Sequence, residues 1–248
     1  MLKVVVPISG GKDSQACLEL ATKLFGVDDI RGLFCDTQFE HPITYKHIDW
    51  MREHYGVHID TVSGGTVLDK CLKYARFPGG GARHCTDELK IRETRIYLKA
   101  LAEQHGGFEV WYGMRTGEST ERATRYANKI SEEIYEPHEV LPGKYPKYLG
   151  RMGVRFRLPI LDWPEERVLE LLDGRENPLY RAGFPRVGCF PCLASGDRWK
   201  EKAFQFDDVG RDHFAKVTVV SAKIGKSVWT SKGGKARNEE GVCALCSI

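Results

Sequence analysis

The chain has no apolar run approaching the ~20 residues needed to cross a bilayer, so no segment of it reads as a membrane-spanning helix. Met1-Leu2-Lys3 leads straight into Val4-Val5-Val6, without the charged and apolar regions of a signal peptide. The expectation is a soluble, cytoplasmic protein with no membrane partner. No internal repeat is visible. Excess charge of one sign is also missing: 37 Lys and Arg against 34 Asp and Glu leave +3, too mild to argue for nucleic acid from the whole chain. Any such case has to come from local patches.

What is present, at 248 residues, is enough to build one sizeable α/β core with a small C-terminal addition. The eight cysteines fall into two sets. Cys17, Cys35 and Cys71 lie in apolar or amphipathic segments and read as small buried hydrophobes. Cys85, Cys189, Cys192, Cys243 and Cys246 lie in stretches rich in Gly, Pro and Arg, where packing does not explain them. They read as thiols, ligands or redox groups rather than structural disulfides.

The most informative stretch is Ser9-Gly10-Gly11-Lys12-Asp13-Ser14. It follows the apolar run at Val4 to Val6 and opens into helical spacing at Cys17, Leu18, Leu20, Ala21 and Leu24, so it sits where a strand turns into a helix. Backbone N–H groups at a helix N-terminus point outward and carry partial positive charge, which makes an anion site. Gly10 and Gly11 let the backbone approach a phosphate closely, Lys12 adds a point charge, and Ser9 and Ser14 add hydroxyls. Asp13 is placed to hold a magnesium ion or a water. The bland alternative is a glycine-rich turn with Ser14 as helix N-cap. No G-x-x-x-x-G-K-[ST] can be laid over the stretch, so it is not a Walker A loop.

Further along, Ile30 to Thr37 reads as a second buried strand, whose polar end places Asp36 and Thr37 toward a ligand at the carboxyl edge of a parallel sheet. A helix to about Tyr55 and a strand over 57–62 follow, then a short helix over 66–75. Thr86 reads as the N-cap of a long helix to about His105, which puts Cys85 just before a helix N-terminus. Phe108 to Arg115 is a further strand ending in Gly113 and Arg115. Arg115 and Arg122 suit the mouth of a phosphate site, with a Glu118–Arg122 surface ion pair as the alternative. Gly143 to Arg157 interleaves five Lys and Arg with Tyr145, Tyr148 and Phe156 and has no acid, which fits a nucleic-acid contact or a solvated hairpin. A helix is expected from Glu165 to Leu172. The last forty or so residues lose periodicity and read as a basic tail carrying Cys243-x-x-Cys246.

The loop resembles the S-G-G-x-D-S pyrophosphate loop of the PP-loop ATP pyrophosphatases. Together with Asp36-Thr37 and Glu40-His41-Pro42, Arg83-His84-Cys85-Thr86 and Leu89-Lys90, Gly113-Met114-Arg115 with Glu118-Ser119 and Arg122, and Gly188-Cys189-x-x-Cys192, it resembles the adenylylsulfate and phosphoadenylylsulfate (PAPS) reductase family over residues 1–195. The resemblance implies an α/β, adenine nucleotide α-hydrolase-like (Rossmann-like) fold, a parallel sheet flanked by helices. It also implies a division into a nucleotide-binding domain, 1–195, and a cysteine-bearing extension, 196–248.

Two chemistries are implied. One is ATP pyrophosphatase and sulfurtransferase chemistry: ATP and Mg2+ are bound, a substrate is adenylylated, and sulfur replaces the activated group. It would use Lys12, Asp13 and Arg115 catalytically and Ser9, Gly10, Gly11, Lys12, Asp13, Ser14, Asp36, Thr37, Gly113, Arg115 and Arg122 for nucleotide binding. Retention of Lys12, Asp13 and Ser14 favours it, since sulfonucleotide reductases usually lose that ending. The other is a thiol-dependent reductase that makes sulfite, with Cys243 or Cys246 as nucleophile. The reductase tail, however, has one cysteine and a terminal His, and here there are two and no His. Cys85, Cys189 and Cys192 resemble three ligands of a 4Fe-4S cluster, with Zn2+ as the alternative and with Cys243, Cys246 or no residue as the fourth. Cluster-bearing reductases have Cys-Cys where this chain has His84-Cys85. Candidate partners are an adenine nucleotide, a tRNA or DNA acceptor, a sulfur donor or thiol carrier, and a second copy in a homodimer. A nucleotide-binding module without catalysis is the third reading.

Overall fold

The computed structural model describes residues 1–79 and 83–229. Along the chain run β1 (Val4–Ile8), α1 (Lys12–Leu24), β2 (Ile30–Cys35), α2 (Pro42–Tyr55), β3 (Ile59–Val62), α3 (Val67–Lys73), α4 (Arg92–His105), β4 (Glu109–Trp111), α5 (Thr120–Arg125), β5 (Ile134–Tyr135), α6 (Pro137–Val140), α7 (Lys147–Arg151), β6 (Arg155–Arg157), α8 (Glu165–Leu172), α9 (Asp197–Phe206) and α10 (Asp208–Ile224). The strands form one six-stranded sheet in the order β3-β2-β1-β4-β6-β5. Every pair is parallel except β5 with β6. This is the α/β architecture the sequence implies.

The sheet is buried on both faces, which is why β1 is an unbroken apolar run. Val4, Val6 and Ile8 point to one side, where Leu18 of α1, Ile48 of α2 and Val168 of α8 cover them. Val5 points to the other, with Leu98 of α4, Val140 of α6 and Leu149 of α7. From β1 the chain moves outward through β2 to β3 and then returns to place β4 on the opposite side of β1. The crevice at that reversal, beyond the carboxyl ends of β1 and β4, is where open α/β sheets bind ligands.

Three expectations are corrected. Thr86 is not an N-cap: helical backbone already begins at His84 and Cys85, the Thr86 N–H donates to the Arg83 carbonyl at 2.9 Å, and Thr86–Ile91 forms a wider π-type turn before α4. Cys85 is therefore inside the first turn. The 143–157 stretch is neither a hairpin nor a stacking surface. Its Tyr145 and Phe156 are core residues, while Lys144, Arg155 and Arg157 pair with Asp87, Glu136 and Glu109. Finally, the C-terminal region starts with two helices rather than a tail. Asp207 caps α10 by accepting the Gly210 N–H at 2.9 Å, and Phe204, Val217 and Val220 close a third core cluster with Phe39, Val67, Cys71 and Leu89. The basic residues from Lys232 onward, Cys243 and Cys246 lie outside the described residues.

Candidate functional site

The carboxyl end of β1 runs into α1 through Ser9, Gly10 and Gly11. Gly10 adopts φ +76°, and a Cβ there would lie 2.5 Å from the Thr44 methyl, so glycine is required on both grounds. Gly11 is the N-cap residue of α1 and has no side chain to cap the helix itself. Ser14 is instead within the first turn, where its hydroxyl donates to the Gly11 carbonyl at 2.9 Å and accepts the Ser9 N–H at 3.2 Å. The two serines thus hold the loop's shape. The first turn of α1 also rests on the end of β4, because a Cβ on Gly113 would lie 2.6 Å from the Asp13 carbonyl group and 2.8 Å from Ser14 N.

That close approach delivers Arg115 to the loop. Arg115 Nε donates to Asp13 Oδ1 at 2.6 Å, and both groups are buried. Lys12 Nζ lies 4.0 Å from the other Asp13 oxygen, 3.3 Å from Glu165 Oε1, and 4.7 Å above the Tyr180 ring centre. Glu165, at the start of α8, also stands 3.9 Å from Arg115. Two cations and two carboxylates therefore alternate at the helix N-terminus. Arg122 is separate: it is fully buried and ion-paired to Glu118, so the pair is real but is not on the surface. Glu118 in turn lines the loop's cavity.

Tyr180 covers the loop. Its hydroxyl accepts the Lys12 backbone N–H at 3.1 Å, and Asn177 Nδ2 donates to the Gly10 carbonyl at 3.2 Å. Burial, reinforced by the Asp13 carboxylate, pushes the Tyr180 phenol up and keeps it protonated. The space left between loop and cover is about 20 Å³, lined by Ser9, Lys12, Asp13 and Val187 among others.

Asp36 and Thr37 follow β2 but serve different neighbours. Asp36 accepts the Tyr45 hydroxyl at 2.7 Å. Thr37 is fully buried, donates to Glu40 Oε1 at 2.6 Å and meets Cys189 Sγ at 3.2 Å. The Phe190 N–H donates to the Phe39 carbonyl at 2.7 Å, which fastens the cysteine-bearing loop to this turn. Burial first, then the Glu40 carboxylate, raises the Cys189 thiol well above its ordinary range, and burial likewise raises Glu40. Cys85 is near enough to raise both Cys189 and Cys71, the latter pushed to about 12 mainly by burial. Cys192 and Cys189 line a cavity of about 70 Å³ with Lys90, Ser195 and Trp199.

Among the described residues no three His, Cys, Asp or Glu side chains stand close enough together to hold a metal ion, and Cys243 and Cys246, the candidates for a fourth ligand, lie outside those residues. Cys189 is held by Thr37 and faces Glu40.

The phosphoadenosine phosphosulfate reductase domain model matches residues 3–195. The chain belongs to that family. Similar family relatives include an uncharacterized protein of Methanocaldococcus jannaschii, 30% identical over 242 residues, covering 92% of this chain and 46% of that protein. An adenosine 5'-phosphosulfate reductase of Staphylococcus haemolyticus is 25% identical over 198 residues, covering 77% of this chain and 70% of the relative. The phosphoadenylyl-sulfate reductase structure from Candida auris aligns at TM-score 0.49 and 16% identity, over 77% of this chain and 83% of that one. The chain thus spans less than half the length of the archaeal relative.

Within this PAPS reductase domain, sequence reasoning missed Glu165, Asn177 and Tyr180. Glu165 reads as an ordinary first-turn acid, and Asn177-Pro178-Leu179-Tyr180 reads as a connector. Only tertiary folding brings them across more than 150 positions to Lys12 and Gly10.

Proposed function

We propose that this domain binds ATP with magnesium and cleaves it between the α and β phosphates, passing AMP to an oxygen of an acceptor and releasing pyrophosphate. The observation that carries the reading is the Lys12–Asp13–Arg115–Glu165 cluster at the N-terminus of α1, at the sheet's point of reversal.

In this reading the amides of α1, Ser9 and Ser14 hold the β and γ phosphates, and Lys12 and Arg115 meet the charge that grows on the departing pyrophosphate. Asp13 and Glu165 would free the two cations for the phosphates and are the carboxylates that would hold a magnesium ion bound with the nucleotide, which would supply further positive charge there. Asp36 and Gly113 flank the nucleoside side of the crevice. The acceptor oxygen attacks the α phosphorus while the bond to the bridging oxygen breaks, and the electron pair leaves with pyrophosphate. Sulfur would then displace AMP from the activated acceptor. The acceptor classes to screen are tRNA and DNA. The 143–157 stretch gives them little support, because three of its five cations, Lys144, Arg155 and Arg157, pair with acids of the same chain.

Isothermal titration tests the binding half: ATP–Mg2+ binds the wild type, and Lys12→Ala weakens it at least ten-fold. Equal affinity of the two proteins would overturn the assignment of Lys12. The likeness to adenosine 5'-phosphosulfate reductases supports a second reading, a thiol-dependent sulfonucleotide reductase with Cys243 or Cys246 as nucleophile. It predicts sulfite from adenylyl sulfate or PAPS with a reduced thiol carrier, and loss of that sulfite in Cys243→Ser or Cys246→Ser.

A further inference from the structure

The geometry points to Tyr180 and the Pro185–Val187 segment as a plug that occupies the phosphate seat and has to be displaced before a polyphosphate can bind. The inference rests on the reading of the loop as a polyphosphate site and adds a regulated step to it. Three observations carry it. The Tyr180 hydroxyl takes the Lys12 backbone N–H, one of the donors that a phosphate oxygen would take at a helix N-terminus. Its ring lies under Lys12 Nζ, at 4.7 Å from the ring centre, so it also engages the cation meant for the anion. The Val187 carbonyl and the Tyr180 hydroxyl lie 3.5 and 3.1 Å from where a Cβ on Gly11 would stand, so both lie directly over the loop backbone.

The Tyr180 hydroxyl and the Val187 carbonyl thus stand where oxygens of a bound phosphate would approach the loop, in a narrow cavity lined by Ser9, Lys12 and Asp13. The plug is built to move in part. Leu179, Phe184 and Phe190 anchor it in a small apolar cluster, while Gly183 at φ +79° separates Tyr180 from Pro185–Val187 and Gly188 at φ +151° follows that segment. Both glycines can change conformation at little steric cost. Phosphate and plug thus compete for Lys12, and nucleotide affinity includes the work of lifting Tyr180. A site kept shut in this way turns over ATP only when a ligand able to displace the tyrosine arrives.

The test uses the full chain, inorganic pyrophosphate as probe, and titration calorimetry on the wild type, Tyr180→Phe and Tyr180→Ala. Tyr180→Phe removes the competing acceptor and is expected to bind pyrophosphate about five-fold more tightly, the worth of one ordinary hydrogen bond. Tyr180→Ala is expected to bind at least as tightly as Tyr180→Phe. In hydrogen exchange, amides of 186–188 in the wild type are expected to exchange faster when pyrophosphate is added. Weaker or unchanged binding by both variants overturns the plug while leaving the loop assignment standing. Absence of pyrophosphate and ATP binding in all three proteins overturns the loop assignment and the plug with it.

Discussion

Asp13 and Arg115 show how one residue pair ties stability to chemistry. Each is less than a tenth exposed, and their contact at 2.6 Å is the shortest of the ion pairs each makes, with Lys12 at 4.0 Å from Asp13 and Glu165 at 3.9 Å from Arg115. Replacing Arg115 by Leu is expected to cost about 3–5 kcal/mol of folding stability in urea denaturation, because a buried carboxylate is left behind. Restoring neutrality with Asp13→Asn in the Arg115→Leu background should recover a large part of it, and a double-mutant cycle measures the coupling. A loss below 0.5 kcal/mol would mean that water reaches the pair.

His47 makes a second residue-scale prediction. Burial lowers its imidazole from 6.5 to about 4, with Glu176 opposing only weakly, and its ring contacts Gln15 Oε1 at 2.9 Å. The unfolded imidazole takes up a proton as pH falls below about 6.5, whereas the folded one does so only near 4. Stability contributed by the neutral ring is thus complete above that window and is lost on acidification across it, by up to about 3 kcal/mol. His47→Gln should flatten the fall in urea midpoint between pH 7 and pH 4.5. An unchanged slope would assign the acid sensitivity elsewhere.

At the scale of elements, the contact between the end of β4 and the first turn of α1 sets the site. Gly113→Ala places a methyl group against the Asp13 and Ser14 backbone, which cannot yield by side-chain rotation. The expected result is a loss of about 2 kcal/mol or more in stability, together with weaker nucleotide binding. Val4 to Ser14 was legible from sequence because strand, turn glycines and helix follow one another within a dozen residues. Thr86 was not, since a hydroxyl ahead of two acids looks the same whether it caps a helix or lies inside a wide turn. The pairing of Lys144 with Asp87, 57 positions away, is equally invisible to a local reading, so a partly neutralised stretch looked wholly basic. Helix α10 was passed over because its buried stripe, Gly210, His213, Val217 and Val220, contains only two apolar side chains of any size.

At the scale of the molecule, the order β3-β2-β1-β4-β6-β5 explains why residues from four separate regions meet at one edge: the loop after β1, the turn after β2, the end of β4 and the connector at 177–187. The family and the parallel sheet were readable because the motifs occur in order along the first three quarters of the chain. The cysteine site was not, because Glu40 and Thr37 reach Cys189 only in the folded state. The central claim is that the charge cluster at the loop serves cleavage between the α and β phosphates. The most direct measurement is phosphorus NMR of the products formed from ATP and Mg2+ by anaerobically purified protein, with and without tRNA or DNA, and with Lys12→Ala as control. Pyrophosphate with AMP or an adenylylated acceptor, lost in the Lys12 variant, is the predicted result. ADP with inorganic phosphate, or unreacted ATP alongside sulfite formed from PAPS, would contradict it.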